Sequence, residues 1–364
     1  MPPLPPFIQQ ALELAQLSVG LSEPNPRVGC VITKGDRILG VGHTQRAGDA
    51  HAEIMAMRQA ASRGEDIKGA TAWVTLEPCA HHGRTPPCCD ALAAAGIRKV
   101  VASVLDPNPL VAGQGFGKLR AAGIEVEAGP GEDETRELNI GFFSRMERNL
   151  PWVRMKIAAS LDGKTALDNG ASQWITSPDA RKDGHAWRAR ATAVLTGIGT
   201  VLEDNPRLDV RDVPTPHQPF AVIVDSKLET PPDAHMFVDA RPLLIYTASP
   251  EPNRRAMLQD RGATVIEMPD ANGKVDLEAM MRDLAAREVN ELHIEAGHKL
   301  NGSLVRGGLV DELLVYFAPK LLGAGRDMAN IGPFTQLDQA LPLHLHSVTR
   351  CGPDIRVIAR VTRP

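Results

Sequence analysis

Residues 75–92 read TLEPCAHHGRTPPCCDAL, which sets Cys79, His81, His82, Cys88 and Cys89 within eleven positions. That is more thiol and imidazole than one tetrahedral ion can use, so some of these residues are ligands and the others serve another purpose. A second short cluster, HAE at 51–53, lies upstream. A catalytic zinc takes three protein ligands and keeps a fourth position for water; one His and two Cys supply the three, and two thiolates balance the charge of the ion. Water held there ionises near neutral pH, and a nearby carboxylate that is not a ligand can carry its proton to a leaving amine. Glu53 is the candidate for that carboxylate. H-x-E followed by P-C-x-x-C is the signature of zinc deaminases. The match here is imperfect, because the third residue after Cys79 is His82 and the next cysteine comes nine positions on. Two assignments stand open: His82 replaces the second thiolate, or AHHGRTPP loops out and Cys88 returns as the ligand. A structural zinc site would instead add His81 or His82 as a fourth ligand.

The spacing constrains the elements that carry these residues. Side chains at i and i+2 do not share a face of a regular helix. His51 and Glu53 therefore converge only at a helix start, with His51 in the first turn and Asp49 as the cap. Cys79 and the later Cys after proline are likewise expected where helices begin, since a helix N-terminus favours the thiolate. Ile8, Leu12, Ala15 and Val19 recur at helical spacing in residues 7–20, and two β-branched runs around Lys34-Gly35-Asp36 read as a hairpin. A helix from His51 closed by Gly64, a strand over 70–78, a helix from Cys88 to Gly96 and a strand over 99–105 follow. A short helix and strand over 117–129 and one helix over 133–148 complete an α/β order. Pro151, just past a charged helix end, marks the boundary between domains expected at residues 1–148 and 149–364.

Length agrees with two domains, since 364 residues exceed the usual size of a single core. A net charge of −4 gives no electrostatic footprint for nucleic acid or an anionic membrane. The opening MPPLPPFIQQ has neither the basic flank nor the apolar run of a secretory leader, and no 18-residue apolar run occurs. Five cysteines, three of them crowded into one loop, suit a metal or catalytic site in a reducing compartment. A cytoplasmic protein is expected. Cys30 and Cys351 read as core packing, and Cys89 as a bystander.

The second half has no comparable ligand cluster. A strand over 152–166 and a helix over 177–191 lead into further strands alternating with helices, and an alternating hairpin over 343–361 sits at the edge of a largely parallel sheet. Two glycine-bearing turns lie at carboxyl ends of these strands: Gly197 and Gly199, and Gly297 at the start of GHKL. There backbone can approach a pyrophosphate, although neither turn is a G-x-G-x-x-G fingerprint. Arg188 and Arg211 offer the planar fork that suits a phosphate monoester.

EPNPRVGCVI, GHT…AGDAHAE, TLEPCAHHGRTPPC and SLDGK…SQWITS together resemble the bifunctional deaminase–reductase family of riboflavin biosynthesis, along essentially the whole chain. The resemblance implies an N-terminal three-layer cytidine-deaminase-like domain and a C-terminal dihydrofolate-reductase-like α/β domain. It implies Zn²⁺ on His51, Cys79 and Cys88 with Glu53 as the proton carrier; Cys88 follows Pro86-Pro87, which fix its approach, while Cys89 points elsewhere. Asn25, His43 and His81 would line the pyrimidine pocket, GRTPP would shape a wall of it, and Arg84 would reach a phosphate or carbonyl oxygen. NADPH would contact Ala158, Trp174, Thr200, Asp204 and Ser226, with its phosphates on Gly297, His298, Lys299 and Leu300. Ser172, Arg188, Leu208, Arg211 and Glu295 would hold the sugar phosphate and pyrimidine. Asp204 is the carboxylate expected to stabilise a cationic iminium. The implied partner is a small pyrimidine ribosyl phosphate, with no nucleic acid and no membrane, and the chain is expected to form a homo-oligomer. The alternative is another zinc nucleoside or nucleotide deaminase whose reductase-like half is inactive.

Overall fold

The helical spacing near the start of the chain produces α1 (Pro6–Gln16), which buries Ile8, Ala11, Leu12 and Ala15. The structure is a computed structural model and describes residues 3–82, 86–109, 111–238, 241–248 and 251–362. It divides into two compact units, Met1–Asn149 and Leu150–Pro364.

In the first unit the hairpin forms from β1 (Gly29–Lys34) and β2 (Arg37–His43). Gly35, at a φ of 59°, supplies the left-handed residue that its tight turn needs. Then come α2 (Ala52–Ser62), β3 (Thr71–Val74), α3 (Cys88–Ala94), β4 (Lys99–Ala102), α4 (Gln114–Ala121), β5 (Glu125–Ala128), α5 (Glu132–Leu138) and α6 (Ile140–Arg148). The sheet order is β2-β1-β3-β4-β5, antiparallel on both sides of β1 and parallel from β3 to β5. Ile8 and Leu12 of α1 pack with Trp73 and Val101 on one face. Ala52, Ala56, Leu92, Phe116 and Leu119 from α2, α3 and α4 cover Cys30, Ile32, Val74 and Val100 on the other, giving three layers.

Two glycines set how closely α2 lies on β2. A Cβ at Gly42 would stand 2.4 Å from the Ala52 carbonyl oxygen, and one at Gly40 2.2 Å from that of Ala56. Only a residue without a side chain lets the helix approach this near. The expected single helix over 133–148 is broken. Asn139 leaves the helical region (φ −108°, ψ 22°) because its amide pairs with the backbone of Arg27, accepting from the N–H at 2.7 Å and donating to the carbonyl at 3.0 Å. This partner lies far away in sequence, so local periodicity carried no sign of it.

The second unit contains β6 (Trp152–Ser160), β7 (Lys164–Leu167), α7 (Pro178–Arg190), β8 (Ala193–Gly197), α8 (Ile198–Asp204), β9 (Phe220–Val224), β10 (Leu243–Thr247) and α9 (Pro252–Asp260). It continues through β11 (Ala263–Glu267), α10 (Leu277–Ala286), β12 (Glu291–Ile294), α11 (His298–Arg306), β13 (Glu312–Ala318), β14 (Gly325–Asp327), β15 (Leu343–Cys351) and β16 (Asp354–Val361). The sheet order is β11-β10-β9-β8-β12-β6-β13-β16-β15, parallel as far as β13 and closed by the antiparallel hairpin β15–β16 at its edge. The long strand expected over 152–166 is two strands. The Asp162 carboxylate accepts the Ser160 hydroxyl and the N–H groups of Leu322 and Gly323, and Gly163 turns at a φ of 79°. As a result β7 leaves the main sheet and pairs with β14.

Beneath α7 the sheet carries a buried charged layer. Arg154 of β6 donates to Glu291 of β12 at 2.8 Å and to Glu312 of β13 at 2.5 Å, with the Trp187 ring 4.3 Å from its guanidinium. Arg190 shares Oε2 of Glu291 with Arg154, and Arg360 takes the other oxygen of Glu312. Burying such charges is tolerable only because every one is paired.

The close contact of α2 with β2 makes a prediction. Gly42→Ala forces the start of α2 outward and should destabilise the first unit by about 1–3 kcal/mol, the usual cost of overpacking. Gly117→Ala, in α4 with open space around its Cβ position, should be neutral or stabilising. Differential scanning calorimetry of the two variants checks the contrast.

Candidate functional site

The first site forms where α2, the loop after β3 and α3 all begin or end. α2 starts at Ala52, so His51 is itself the N-cap in extended backbone (φ −75°, ψ 168°) and Glu53 sits in the first turn. Asp49 is therefore not the cap: it lies two residues before the N-cap His51, whose own side chain makes no capping hydrogen bond. The convergence of His51 and Glu53 follows, since the non-helical residue is free to point back beside the first turn. Only one of the two cysteines begins a helix. Cys88 opens α3 directly after Pro86-Pro87, whereas Cys79 lies in the irregular stretch after β3.

His51 Nδ1 stands 3.6 Å from Cys79 Sγ and 3.4 Å from Cys88 Sγ, and the three ligand atoms all lie within 4.8 Å of one another. A tetrahedral zinc with ordinary Zn–N and Zn–S bonds sets such an edge at about 3.6 Å, so the donor set fits this ion in type and in spacing. Among the described residues no other group of His, Cys, Asp and Glu meets in this way.

The charges agree with the donor set. Hydrogen bonds from the Cys88 thiol, from His51 and from the Cys88 N–H at 3.2 Å push the Cys79 thiol down to about 4. The bond that Cys88 makes to Cys79 pushes its own thiol far up, and a bound cation strips that second proton as well. The bond to Cys79 also raises the His51 imidazole. Burial, aided by the charge on Cys79, pushes the Glu53 carboxyl up to about 6. A carboxyl near that value both takes and gives a proton at neutral pH.

The neighbouring candidates separate by position. His81 is half-buried, and its Nδ1 is buried with no hydrogen-bond partner among the described residues. His82 is exposed, and Cys89 packs in the core of the unit. His43, at the end of β2, has Nδ1 3.3 Å from both Ser18 Oγ and Gln45 Nε2. Asn25 lies in a turn, its N–H donating to the Ser22 carbonyl at 2.8 Å. Arg84 lies outside the described residues.

In the second unit a cavity of about 540 Å³ opens at the carboxyl ends of the parallel strands. Ala158, Trp174, Thr200, Asp204, Gly297 and His298 line it, as do Ser172, Arg188, Leu208, Arg211 and Glu295. Ser226, Lys299 and Leu300 do not. The Ser226 hydroxyl accepts the Val275 N–H at 3.2 Å, while Leu300 packs on Gly197. That contact, with a Cβ at Gly197 only 3.0 Å from Leu300 Cδ2, shows that this glycine serves helix packing; neither Gly197 nor Gly199 lines the cavity.

Arg188 is already engaged. Its Nε and Nη2 grip both oxygens of Glu295, and its Nη1 donates to the Asp209 carbonyl at 3.1 Å. Lys156 adds a contact to Glu295 at 3.3 Å. Burial alone would raise the Glu295 carboxyl, but Arg188 and Lys156 hold it well below the usual range. Arg211 is half-exposed and, among the described residues, its guanidinium pairs with Asp209, so it is the freer guanidinium for an incoming anion. Burial raises the Asp204 carboxyl.

Residues 4–104 match the cytidine and deoxycytidylate deaminase zinc-binding region, and residues 151–357 match the RibD C-terminal domain. The riboflavin biosynthesis protein RibD of Escherichia coli K12 is 43% identical over 362 residues, covering 96% of this chain and 97% of that protein. The chain belongs to the RibD family. RibD of Aquifex aeolicus is 41% identical, with 96% of each chain covered. Among solved structures, Acinetobacter baumannii RibD superposes with a TM-score of 0.90 at 41% identity. A deaminase/reductase of Thermotoga maritima superposes at 0.86 and 34% identity, and each comparison covers 98% of both chains. The chain is thus a riboflavin-biosynthesis enzyme in which both the deaminase and the reductase parts of RibD are present. His51, Glu53, Cys79 and Cys88 all fall in the deaminase region, and every cavity residue named above falls in the reductase domain.

Sequence reasoning missed Lys156, although the period-two alternation Arg154-Lys156-Ala158 places it on the face that carries Ala158. It also missed Arg326, which lines the cavity from β14 and pairs with Glu203 at 2.6 Å. Nothing local announced that residue, because β14 is a short strand paired far from its sequence neighbours.

Cys88→Ser should lower the zinc bound per chain several-fold, while Cys89→Ser and His82→Ala should keep the wild-type content. Elemental analysis after exhaustive dialysis checks all three.

Proposed function

We propose that the first unit hydrolyses the 2-amino group of 2,5-diamino-6-ribosylamino-4(3H)-pyrimidinone 5′-phosphate, and that the second reduces the ribosyl chain of the product to ribityl with NADPH. The observation that carries the first assignment is one imidazole nitrogen 3.4–3.6 Å from two sulfurs, with a buried carboxyl on the next turn. When bound, zinc supplies Lewis-acid activation of a water molecule. Glu53 takes the proton from that water and passes it to the amine. A C–O bond forms at the ring carbon, the C–N bond breaks, and ammonia leaves. His81, whose Nδ1 has no partner among the described residues, His43 and Asn25 hold the pyrimidine.

In the second unit NADPH supplies the hydride, and the protein's work is positioning and charge. The fit is supported by α11, whose N-terminus at Gly297 has no side-chain cap, and by Asn301, which lines the cavity and whose buried Oδ1 has no hydrogen-bond partner among the described residues. The C–O bond of the sugar ring opens to leave an iminium at the ribosyl carbon that bears the exocyclic 6-amino nitrogen, the released oxygen takes a proton, and hydride adds to that carbon. Asp204 faces the cationic iminium, Arg211 meets the phosphate, and Arg188 acts by holding Glu295 in place. Ala158, Ser172, Trp174, Thr200, Leu208 and His298 shape the walls, with Ser226, Lys299 and Leu300 assigned to the cofactor by the resemblance alone.

Five free thiols suit a cytoplasmic enzyme, and no helix among the described residues is long and apolar enough to cross a membrane. Self-association fits the outermost strand β15, where Leu345 is 61% exposed and Val348 58%.

The test is to follow ammonia release and NADPH oxidation separately on the phosphorylated pyrimidine. Glu53→Gln should keep its zinc and lose deamination by a factor of about 10²–10⁴, the worth of a positioned proton carrier. It should still reduce supplied deaminated product at the wild-type rate. Asp204→Asn should show the reverse pattern. Full deamination by Glu53→Gln, or full reduction by Asp204→Asn, contradicts the respective role.

A further inference from the structure

Glu77, two residues before Cys79 in TLEPC, is 3% exposed and spends its whole carboxylate on backbone. Oε2 accepts the N–H groups of Asp106 at 3.2 Å and Gly113 at 2.9 Å, and Oε1 accepts that of Phe116 at 3.1 Å. Two further contacts act on the same stretch. Lys118 of α4 donates to the Ala80 carbonyl at 2.6 Å. Gly115 lies so close that a Cβ there would stand 2.1 Å from the Pro78 carbonyl oxygen. Pro78, Cys79 and Ala80 have no helix or strand of their own, so these contacts, together with the Cys88 N–H on Cys79 Sγ at 3.2 Å and the Cys89 N–H on the Cys79 carbonyl at 3.3 Å, fix the sulfur of Cys79 in space.

We propose that Glu77 is a positioning residue for the zinc site: through its three charge-assisted bonds it clamps the Cys79 loop to Asp106 in the loop after β4 and to the start of α4, and so sets where that thiolate meets the metal. This rests on the zinc reading above. Charge-assisted bonds are about twice as strong as neutral ones, and a buried carboxylate facing three N–H donors has no other partner to turn to. Glutamine keeps the volume and presents one oxygen, but its NH₂ must then face a backbone N–H. The clamp loosens while the core stays filled.

The experiment uses the full zinc-loaded chain. Zinc release to an excess of a chromophoric chelator is followed for the wild type, Glu77→Gln, Gly115→Ala and Leu119→Ala, together with the thiolate-to-metal absorption of the cobalt(II)-substituted proteins. Leu119 is a buried α4 residue whose apolar side chain carries none of the clamp's hydrogen bonds, so Leu119→Ala reports what loss of core packing in the same helix does. Glu77→Gln and Gly115→Ala should release zinc about tenfold faster, the lower end of what losing an outer support costs a metal site, and should shift the cobalt band. Leu119→Ala should melt earlier but release zinc at the wild-type rate. Reductase turnover, read in the other unit, should be unchanged in all of them. Release from Glu77→Gln at the wild-type rate, or no faster than from Leu119→Ala, overturns the proposal. If Glu77→Gln does not accumulate, Gly115→Ala decides by the same criterion. A wild-type chain that binds no zinc overturns the zinc reading, and this inference with it.

Discussion

The first unit depends on bringing two sulfurs, from separate places in the sequence, to 3.4–3.6 Å from one imidazole nitrogen, close to the N···S edge of a zinc tetrahedron at about 3.6 Å. No local propensity favours that meeting, and the groups repel or compete for protons until a cation balances them. The surrounding structure therefore has to impose it. Gly40 and Gly42 let α2 press onto β2 and so place His51. The prolines before Cys88 start α3 at the site, and the amide of Cys88 points at the sulfur of Cys79. Glu53 gains its shifted carboxyl from the same burial, so ligand geometry and acid–base readiness arise from one packing arrangement.

The second unit solves a different problem. Hydride transfer needs orientation more than a strong base, and orientation here comes from charge buried between α7 and the sheet. Along β12 and just past its end, Glu291, His293 and Glu295 face that layer, while Leu292 and Ile294 face the opposite core. Glu291 is locked by Arg154 and Arg190, and Glu295 by Arg188 and Lys156. Replacing such pairs with apolar residues often costs little stability, so what they confer here is a fixed direction for the groups that reach the cavity.

The sequence was readable where chemistry and periodicity are local. HAE, the PC dipeptide and the alternation in β1, β2, β15 and β16 pointed to the right elements, and family resemblance separated Cys88 from Cys89 and His82. It was misleading where a distant partner decides. Asp49 looked like a cap, yet His51 holds that position because its ring must turn toward the cysteines. Asn139 breaks a helix in order to pair with Arg27. Arg188 looked like a free phosphate fork, but Glu295, which follows it by 107 positions, occupies both of its inner nitrogens. Gly197 looked like a phosphate turn and proves to be the floor on which Leu300 packs. In each case the residue type was read correctly, and its partner was invisible until the chain was folded.

The deaminase reading requires a zinc ion held by three protein ligands with a fourth position left for water. Zinc K-edge X-ray absorption on the purified full chain tests it directly. Two sulfurs at about 2.3 Å and two nitrogen or oxygen neighbours at about 2.0–2.1 Å are predicted, with one of the latter exchanging when a substrate analogue is added. A shell of three sulfurs, or one that stays unchanged on adding the analogue, would contradict it.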